Sequence, residues 1–329
     1  MANVELTLAI SDYDHVRDLT TGRVKPEGID LVCLDLSIEE IFYRFTRFRE
    51  WDVSEMSFAK YASLIAQGDT TLTAIPVFPS RIFRQSAIYV RSEAGIGEPA
   101  HLAGRKVGIP EWAQTAGIYV RGWLMHQIGL ELQSIEWCQA GVNQPGRVEK
   151  VPLNLPEGVR CRSFPGRTLS EMLIGGDIDA AITARPPECY EKGDPRVARL
   201  YEDYRPVEEA YWRETGIFPI MHTVAVRASA LEGREWIAMN LYMAFTEAKQ
   251  NSLARACEIT APRFPIPWCF DHARRSSEMF GEDYWPYGIA PNLVTLKSFL
   301  QFAFEQGVCR RRVDPEELFA EEVQSSFRV

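Results

Sequence analysis

The sequence has no Cys-x-x-Cys pair, no His-x-His or His-Glu-x-x-His motif, and no run of about 18 uninterrupted apolar residues. Its seven cysteines (33, 138, 161, 189, 257, 269 and 309) are scattered and odd in number, which argues against a complete disulfide framework and suits a reducing compartment. The opening residues MANVELTLAISDYDHV carry neither a basic nor an apolar leader region, so a cytoplasmic chain without membrane insertion is expected. A Gly-rich dinucleotide fingerprint is lacking, because GIGEPAHLAG precedes a strand where the fingerprint would follow one, and no G-x-S-x-G elbow occurs. Basic clusters are scarce as well. The formal net charge is -9, and the densest basic run, Arg310 to Arg312, lies beside Asp314, Glu316 and Glu317. Nucleic acid and anionic membranes are therefore not expected partners.

What is present is an ordinary globular composition, 46% hydrophobic and 25% charged over 329 residues, long enough for two compact lobes. Val4 to Ile10 alternates and then stops at Ser11-Asp12, as a strand opening into a loop would, and IDLVCLD follows the Pro26-Glu27-Gly28 turn as a second strand. IEEIFYRFTRF sets Ile38, Ile41, Phe42 and Phe45 at helical spacing, and WDVSEMSFAKYASLIAQG reads as a short strand followed by a helix that Gly68 closes. A new unit starts after Gly95, with a strand at Lys106 to Ile109 and a helix from Thr115 to Ile128. In LSEMLIGGDIDAAITARPP, Gly175-Gly176 stops a helix and Ile178 to Ala184 is too apolar for an edge strand. Pro186-Pro187 then forces the chain out of the sheet at Arg185. GIFPIMHTVAVRAS is a further buried extended segment, and the remainder is mostly helical. Strands alternating with helices predict a largely parallel sheet covered on both faces.

The order of DVSEMSFAKYASLIAQGD, HLAGRKVGIP, LSEMLIGGDIDAAITA and HTVAVR resembles the type II periplasmic-binding-protein-like fold. That resemblance implies a discontinuous first lobe, 1–91 with 223–329, an inserted second lobe, 92–222, and a ligand cleft between them crossed by hinge strands. Within that superfamily, ISDYDHVRDL, PVFPSRIFRQSAIYVR and DYWPYGIAPN are similar to the 4,5-dihydroxyphthalate decarboxylase family. The similarity implies a carboxy-lyase of aromatic acid catabolism. A solute-binding protein for a small carboxylate stays open as a second reading. An enzyme of the same fold acting on another small acid, such as a deoxyfutalosine-type or pyrimidine substrate, is a third.

Open α/β sheets bind ligands beyond the carboxyl ends of their strands. Applied here, that rule gathers Asp14 and His15 from the first loop, Ser57 from the second, Arg81 and Arg84 from FPSRIFRQS, Trp112 and Thr115 from PEWAQTAG, then Arg185 and His222. Arginine offers a planar fork that matches a carboxylate, and the helix beginning at Thr115 offers free N–H groups. Such a pocket in an acidic protein points to a small anionic ligand, which the family resemblance implies is an aromatic substrate. Each residue also has a structural reading, as a helix cap, a surface ion pair or a core histidine.

For a dihydroxyphthalate, protonating the ring carbon that bears the departing carboxylate gives a dienone-like intermediate, and CO2 loss restores aromaticity. The phenol supplies the electrons, so no organic cofactor is expected, and the lack of metal-ligand spacings in the sequence leaves no metal expected either. His15 is the first choice of proton donor, with His222 next, and Asp14 is expected to orient His15 or to accept the phenolic proton. Arg81, Arg84 or Arg185 should hold the retained carboxylate, because a clamp on the departing group would stabilise the ground state. The departing group should face a wall that includes Trp112 or Phe83. Exposed-looking Phe299, Phe302 and Phe319 add an expectation of self-association.

Overall fold

The computed structural model describes residues 3–324 and contains two sheets. The first half supplies β1 (Val4–Ala9), α1 (Asp14–Thr20), β2 (Ile29–Leu34), α2 (Ile38–Phe48), β3 (Val53–Ser57), α3 (Phe58–Ala66), β4 (Leu72–Ile75), β5 (Ile88–Arg91), β6 (Lys106–Ile109) and α4 (Thr115–His126). Next come β7 (Glu136–Gly141), β8 (Arg160–Thr168), α5 (Leu169–Gly175), β9 (Ala180–Ile182), α6 (Glu188–Glu191), β10 (Val197–Arg199) and α7 (Arg205–Thr215). The chain ends with β11 (His222–Arg227), α8 (Ala228–Leu231), α9 (Trp236–Ala256), α10 (Cys269–Phe280) and α11 (Leu293–Glu305).

The first sheet has the order β2-β1-β3-β11-β4, parallel except for β11, and the second has the order β10-β5-β9-β6-β7-β8. β6, β7, β8 and β9 run parallel there, while β5 is antiparallel to β9 and β10. Two segments cross between the sheets, one after β4 and one before β11, and they pair through an antiparallel bridge of Arg81 with Ile220. β5, which falls inside the 1–91 span read from the sequence, hydrogen-bonds within the second sheet. β11 starts at His222 in the first.

Local signals explain the elements that frame the cleft. β3 is buried at all five positions, which suits a strand flanked on both edges and covered on both faces. α5 begins with a capping box between Thr168 and Glu171 and ends at Gly176, whose φ of 76° is the left-handed conformation that stops a helix. β9 follows as three fully buried apolar residues between β5 and β6.

The C-terminal helices weld the molecule together. α11 lies against α3 and α4, with the Phe299 ring 4.7 Å from Phe58 and 5.0 Å from Tyr119. A Cβ at Gly122 would sit 2.3 Å from Phe302, so glycine permits that approach. Phe299, Phe302 and Phe319 are thus buried within the chain and offer no apolar face to a second copy, contrary to the expectation drawn from them. Among the described residues no helix is long and apolar enough to cross a membrane.

Candidate active site

A cavity of about 580 Å³ opens between the two sheets, within the usual range for a small-molecule site. Of the residues singled out in the sequence, Ser57, Arg84, Thr115, Arg185 and His222 line it. The register of β3 with β11 sets His222 directly beside Ser57. Thr115 at the start of α4 reaches across from the other sheet, its hydroxyl 3.1 Å from Ser57 Oγ, and it also accepts from the Ala59 N–H at 3.2 Å. Arg84 points its Nε at Met221 Sδ (3.2 Å) and donates from Nη1 to the Ala184 carbonyl at 3.3 Å. Among the described residues no carboxylate forms an ion pair with Arg84, and burial outweighs the more distant charge of Glu208 and pushes its pKa down to about 10. Arg185 pairs across the outer edge with Glu39 of α2, in an exposed ion pair.

His222 is held from behind. Its Nδ1 lies 2.6 Å from Glu55 Oε1, which leaves Nε2 for the cleft. Glu55 has no exposed surface and is satisfied by three donors. Ser11 N–H donates to Oε2 at 3.0 Å, and Oε1 receives the Tyr13 hydroxyl at 2.6 Å as well as His222. Burial, together with the Glu55 charge, pushes the Tyr13 phenol well above its ordinary value, so it remains a donor. An imidazole whose Nδ1 is fixed by a carboxylate has a defined tautomer and orientation, as a proton-transferring group requires.

Four expected residues lie elsewhere. His15 packs its ring against Tyr13 and Trp285, away from the cavity lining, and burial pushes its pKa down to about 4. It is a half-buried imidazole held neutral by its surroundings, unsuited to the donor role first given to it. Asp14 accepts from Ser252 Oγ at 2.7 Å and pairs with Arg17 and Arg255, so it ties α1 to α9 and orients nothing in the cleft. Arg81 turns inward, donating to the carbonyls of Pro286 (3.0 Å) and Phe218 (2.9 Å) and stacking 4.4 Å over the Phe218 ring. Its fork is spent on pinning the crossing segment. Trp112 is buried, donates to the Gln306 carbonyl at 2.8 Å and carries the Arg121 guanidinium 4.1 Å over its ring. Phe83, the other residue considered for the departing-group wall, stacks on Phe218 and Phe280, and the apolar part of the lining includes Phe42, Ile38 and Met221 instead.

The sequence reading missed Glu55, Lys60, Glu111 and Arg147. A glutamate in the middle of an otherwise buried strand, WDVSEMSF, was the available signal for Glu55, because an ionised carboxylate is buried only with partners. Lys60 Nζ lies 3.0 Å from Glu111 Oε2, and Arg147 and Lys150 pair with Glu111 Oε1. Burial raises the Glu111 pKa, but Lys60, Arg147 and Lys150 outweigh it and hold the carboxyl below its ordinary value. Arg147 comes from the loop between β7 and β8, strands that the sequence reading did not separate. Among the described residues no three His, Cys, Asp or Glu side chains are gathered as a metal ligand set.

No family model matches the chain. It is 37% identical over 330 residues, covering the whole of both chains, to a 4,5-dihydroxyphthalate decarboxylase of Comamonas testosteroni. A second protein of that name, from Pseudomonas putida, is 37% identical over 214 residues, 65% of this chain and 83% of the relative. Among solved structures, the periplasmic aliphatic sulphonate binding protein SsuA from Escherichia coli superposes with a TM-score of 0.55 at 11% identity, over 98% of this chain and 99% of its own. That likeness bears out the two-lobed periplasmic-binding-protein-like fold.

Proposed function

The chain belongs to the 4,5-dihydroxyphthalate decarboxylase family, and we propose that it removes CO2 non-oxidatively from a dihydroxylated aromatic dicarboxylate such as 4,5-dihydroxyphthalate, in the cleft between its two sheets. The observation that carries this reading is the presence in one cavity lining of a carboxylate-held histidine, His222 on Glu55, and of an arginine, Arg84, that forms no ion pair among the described residues. Arg84, backed at the outer edge by Arg185, holds the carboxylate that stays, and the Ser57 and Thr115 hydroxyls fix the ring beside it.

The departing carboxylate then faces Phe42, Ile38 and Met221, which gives it no charge stabilisation to lose. The Phe42 ring meets the His222 ring edge-on at 4.8 Å and narrows the space around Nε2. Protonated His222 gives its Nε2 proton to the ring carbon that bears the departing group, while the para hydroxyl becomes a carbonyl as its proton leaves. The C–C bond to the carboxylate then breaks, its electron pair returns to the ring, and CO2 departs. The phenolate so formed is reprotonated, and His222 regains a proton from solvent. One proton is consumed for each CO2 released, and no redox partner enters. Glu55 and Tyr13 act as positioning residues, keeping Nδ1 occupied so that Nε2 is the exchanging atom.

Incubation with 4,5-dihydroxyphthalate, with and without a chelator, tests the reading by CO2 release. Stoichiometric CO2 with appearance of the monocarboxylate supports it. Binding without CO2 identifies a receptor and overturns it.

A further inference from the structure

The cleft has a second charged group, and its composition differs from that around Arg84. Three cations, Lys60, Arg147 and Lys150, converge on the single buried carboxylate of Glu111. Lys60 is 5% exposed and belongs to the first sheet's α3, whereas the other three belong to the second lobe, so the cluster spans the cleft. Glu149, in the same loop, is turned to the backbone N–H groups of Ala113 and Lys150. Burial and the neighbouring Lys60 push the Lys150 pKa down, as expected where positive charge is in excess.

Contacts along the wall place this cluster on the far side of the hydroxyl pair. Arg84 touches Met221, the neighbour of His222, His222 pairs with Ser57, and Ser57 meets Thr115. Lys60 follows Ser57 by three residues on α3, and Glu111 precedes Thr115 by four. A ring whose carboxylates lie toward Arg84 therefore turns its opposite edge toward Lys60 and Glu111.

Resting on the proposed reading of the site, we propose that the Lys60, Glu111, Arg147 and Lys150 cluster seats the ring hydroxyls and favours ionisation of the one para to the departing carboxylate. The presence of Glu111 decides between a hydroxyl and a second carboxylate. A buried carboxylate repels another carboxylate, but accepts a hydrogen bond from a phenol and can take its proton. The surrounding cations then stabilise the phenolate in a site of low dielectric, which raises electron density at the para carbon, where His222 delivers its proton.

The test uses 4-nitrocatechol, a catechol whose ionisation is read from its visible absorption, bound to the full chain and titrated with pH. The wild type should lower the apparent pKa of the bound catechol by about one to three pH units, the range for a group ionising beside an opposite charge. Lys60→Met should return it toward the free value. Glu111→Gln, which removes negative charge from the same cluster, should lower it further. A merely structural role for the cluster would not move the two variants in opposite directions. Arg147→Met, on a half-exposed loop, replaces Lys60→Met should that variant fail to fold. A bound catechol that ionises as it does free in solution, or variants that leave the shift unchanged, would overturn the assignment. So would failure of 4-nitrocatechol to bind a protein that releases CO2 from 4,5-dihydroxyphthalate, and in that case the decarboxylase reading stands. A normal shift in a protein that releases no CO2 leaves the hydroxyl seat and removes the decarboxylase.

Discussion

Arg84→Met should make the ligand-free protein more stable and a worse binder. Arg84 sits in the crossing segment with a carbonyl and a thioether as its hydrogen-bond partners, forms no ion pair among the described residues, and feels the Glu208 charge only at a distance. Its pKa falls from 12.5 to about 10 through burial, a difference worth at most about 3 kcal/mol. The sign follows from linkage. Folded Arg84 gives up its proton more readily than unfolded Arg84, so the penalty is complete below the folded pKa and fades only as pH rises from about 10 toward 12.5. At neutral pH the wild type carries all of it.

Methionine removes that penalty and loses a hydrogen bond worth about 1 kcal/mol, leaving a net gain of about 1–2 kcal/mol. Thermal unfolding should register this as a rise of about 2–4 °C. Binding moves the other way. A hydrogen bond to a charged group contributes about 1.5–3 kcal/mol, so affinity for phthalate, which cannot react, and KM for 4,5-dihydroxyphthalate should worsen about 10- to 150-fold. A variant that melts lower than the wild type and keeps its KM would show that Arg84 serves the fold, and the carboxylate seat would have to be sought elsewhere.

His222→Gln should lower kcat by about 10² to 10⁴, the contribution of a positioned general acid, with KM within a few-fold of wild type in the CO2 assay. His15→Gln, by contrast, should retain turnover within a few-fold and show its effect in the melting temperature, because its ring lies in the Tyr13 and Trp285 packing. Gly122→Ala places a methyl against the Phe302 ring and should cost about 1–3 kcal/mol of overpacking, read as a lower melting temperature with unchanged KM if the protein folds.

The fold was legible where local chemistry and tertiary environment agree. The strand at Lys106 to Ile109 and the helix at Leu169 to Gly175 follow from apolar runs ended by proline or glycine, and they appear at those places, whereas the apolar run Ile178 to Ala184 pairs only from Ala180 to Ile182, so the ladder ends before Arg185. The edge strands β8 and β10 were not legible. β8 is exposed along most of its length and shows no apolar run, and β10 has three residues. In the site, the strand-end rule located the cavity but could not say which way a side chain turns. Arg81 and Arg84 are three residues apart in one extended segment, yet one turns inward to Pro286 and Phe218 while the other lines the cleft. His15 lost to His222 for a related reason. The apolar neighbours of His222 in the sequence hid the buried Glu55 on the adjacent strand, a partner that only the register of β3 with β11 supplies.

The same register and packing determine where the cleft yields. The core limits how the halves can part, because Phe58 and Phe78 of the first lobe, Phe299 and Phe302 of α11, and Tyr119 of α4 belong to one continuous apolar cluster. Separating the lobes on that side would expose large aromatic side chains, each worth about 1.5–3 kcal/mol of burial. On the opposite edge the lobes meet through Glu39 and Arg185, both more than half exposed, and such a pair contributes at most about 1 kcal/mol. Opening therefore costs least at that edge. Ser57 and Thr115 join the two sheets through their hydroxyls, and His222 is fixed within the first sheet by its register with Ser57 and by buried Glu55. The group that must place a proton on one ring carbon is thus fixed by buried partners of its own sheet, and the clasp that an incoming carboxylate must compete with stands where the lobes part most easily.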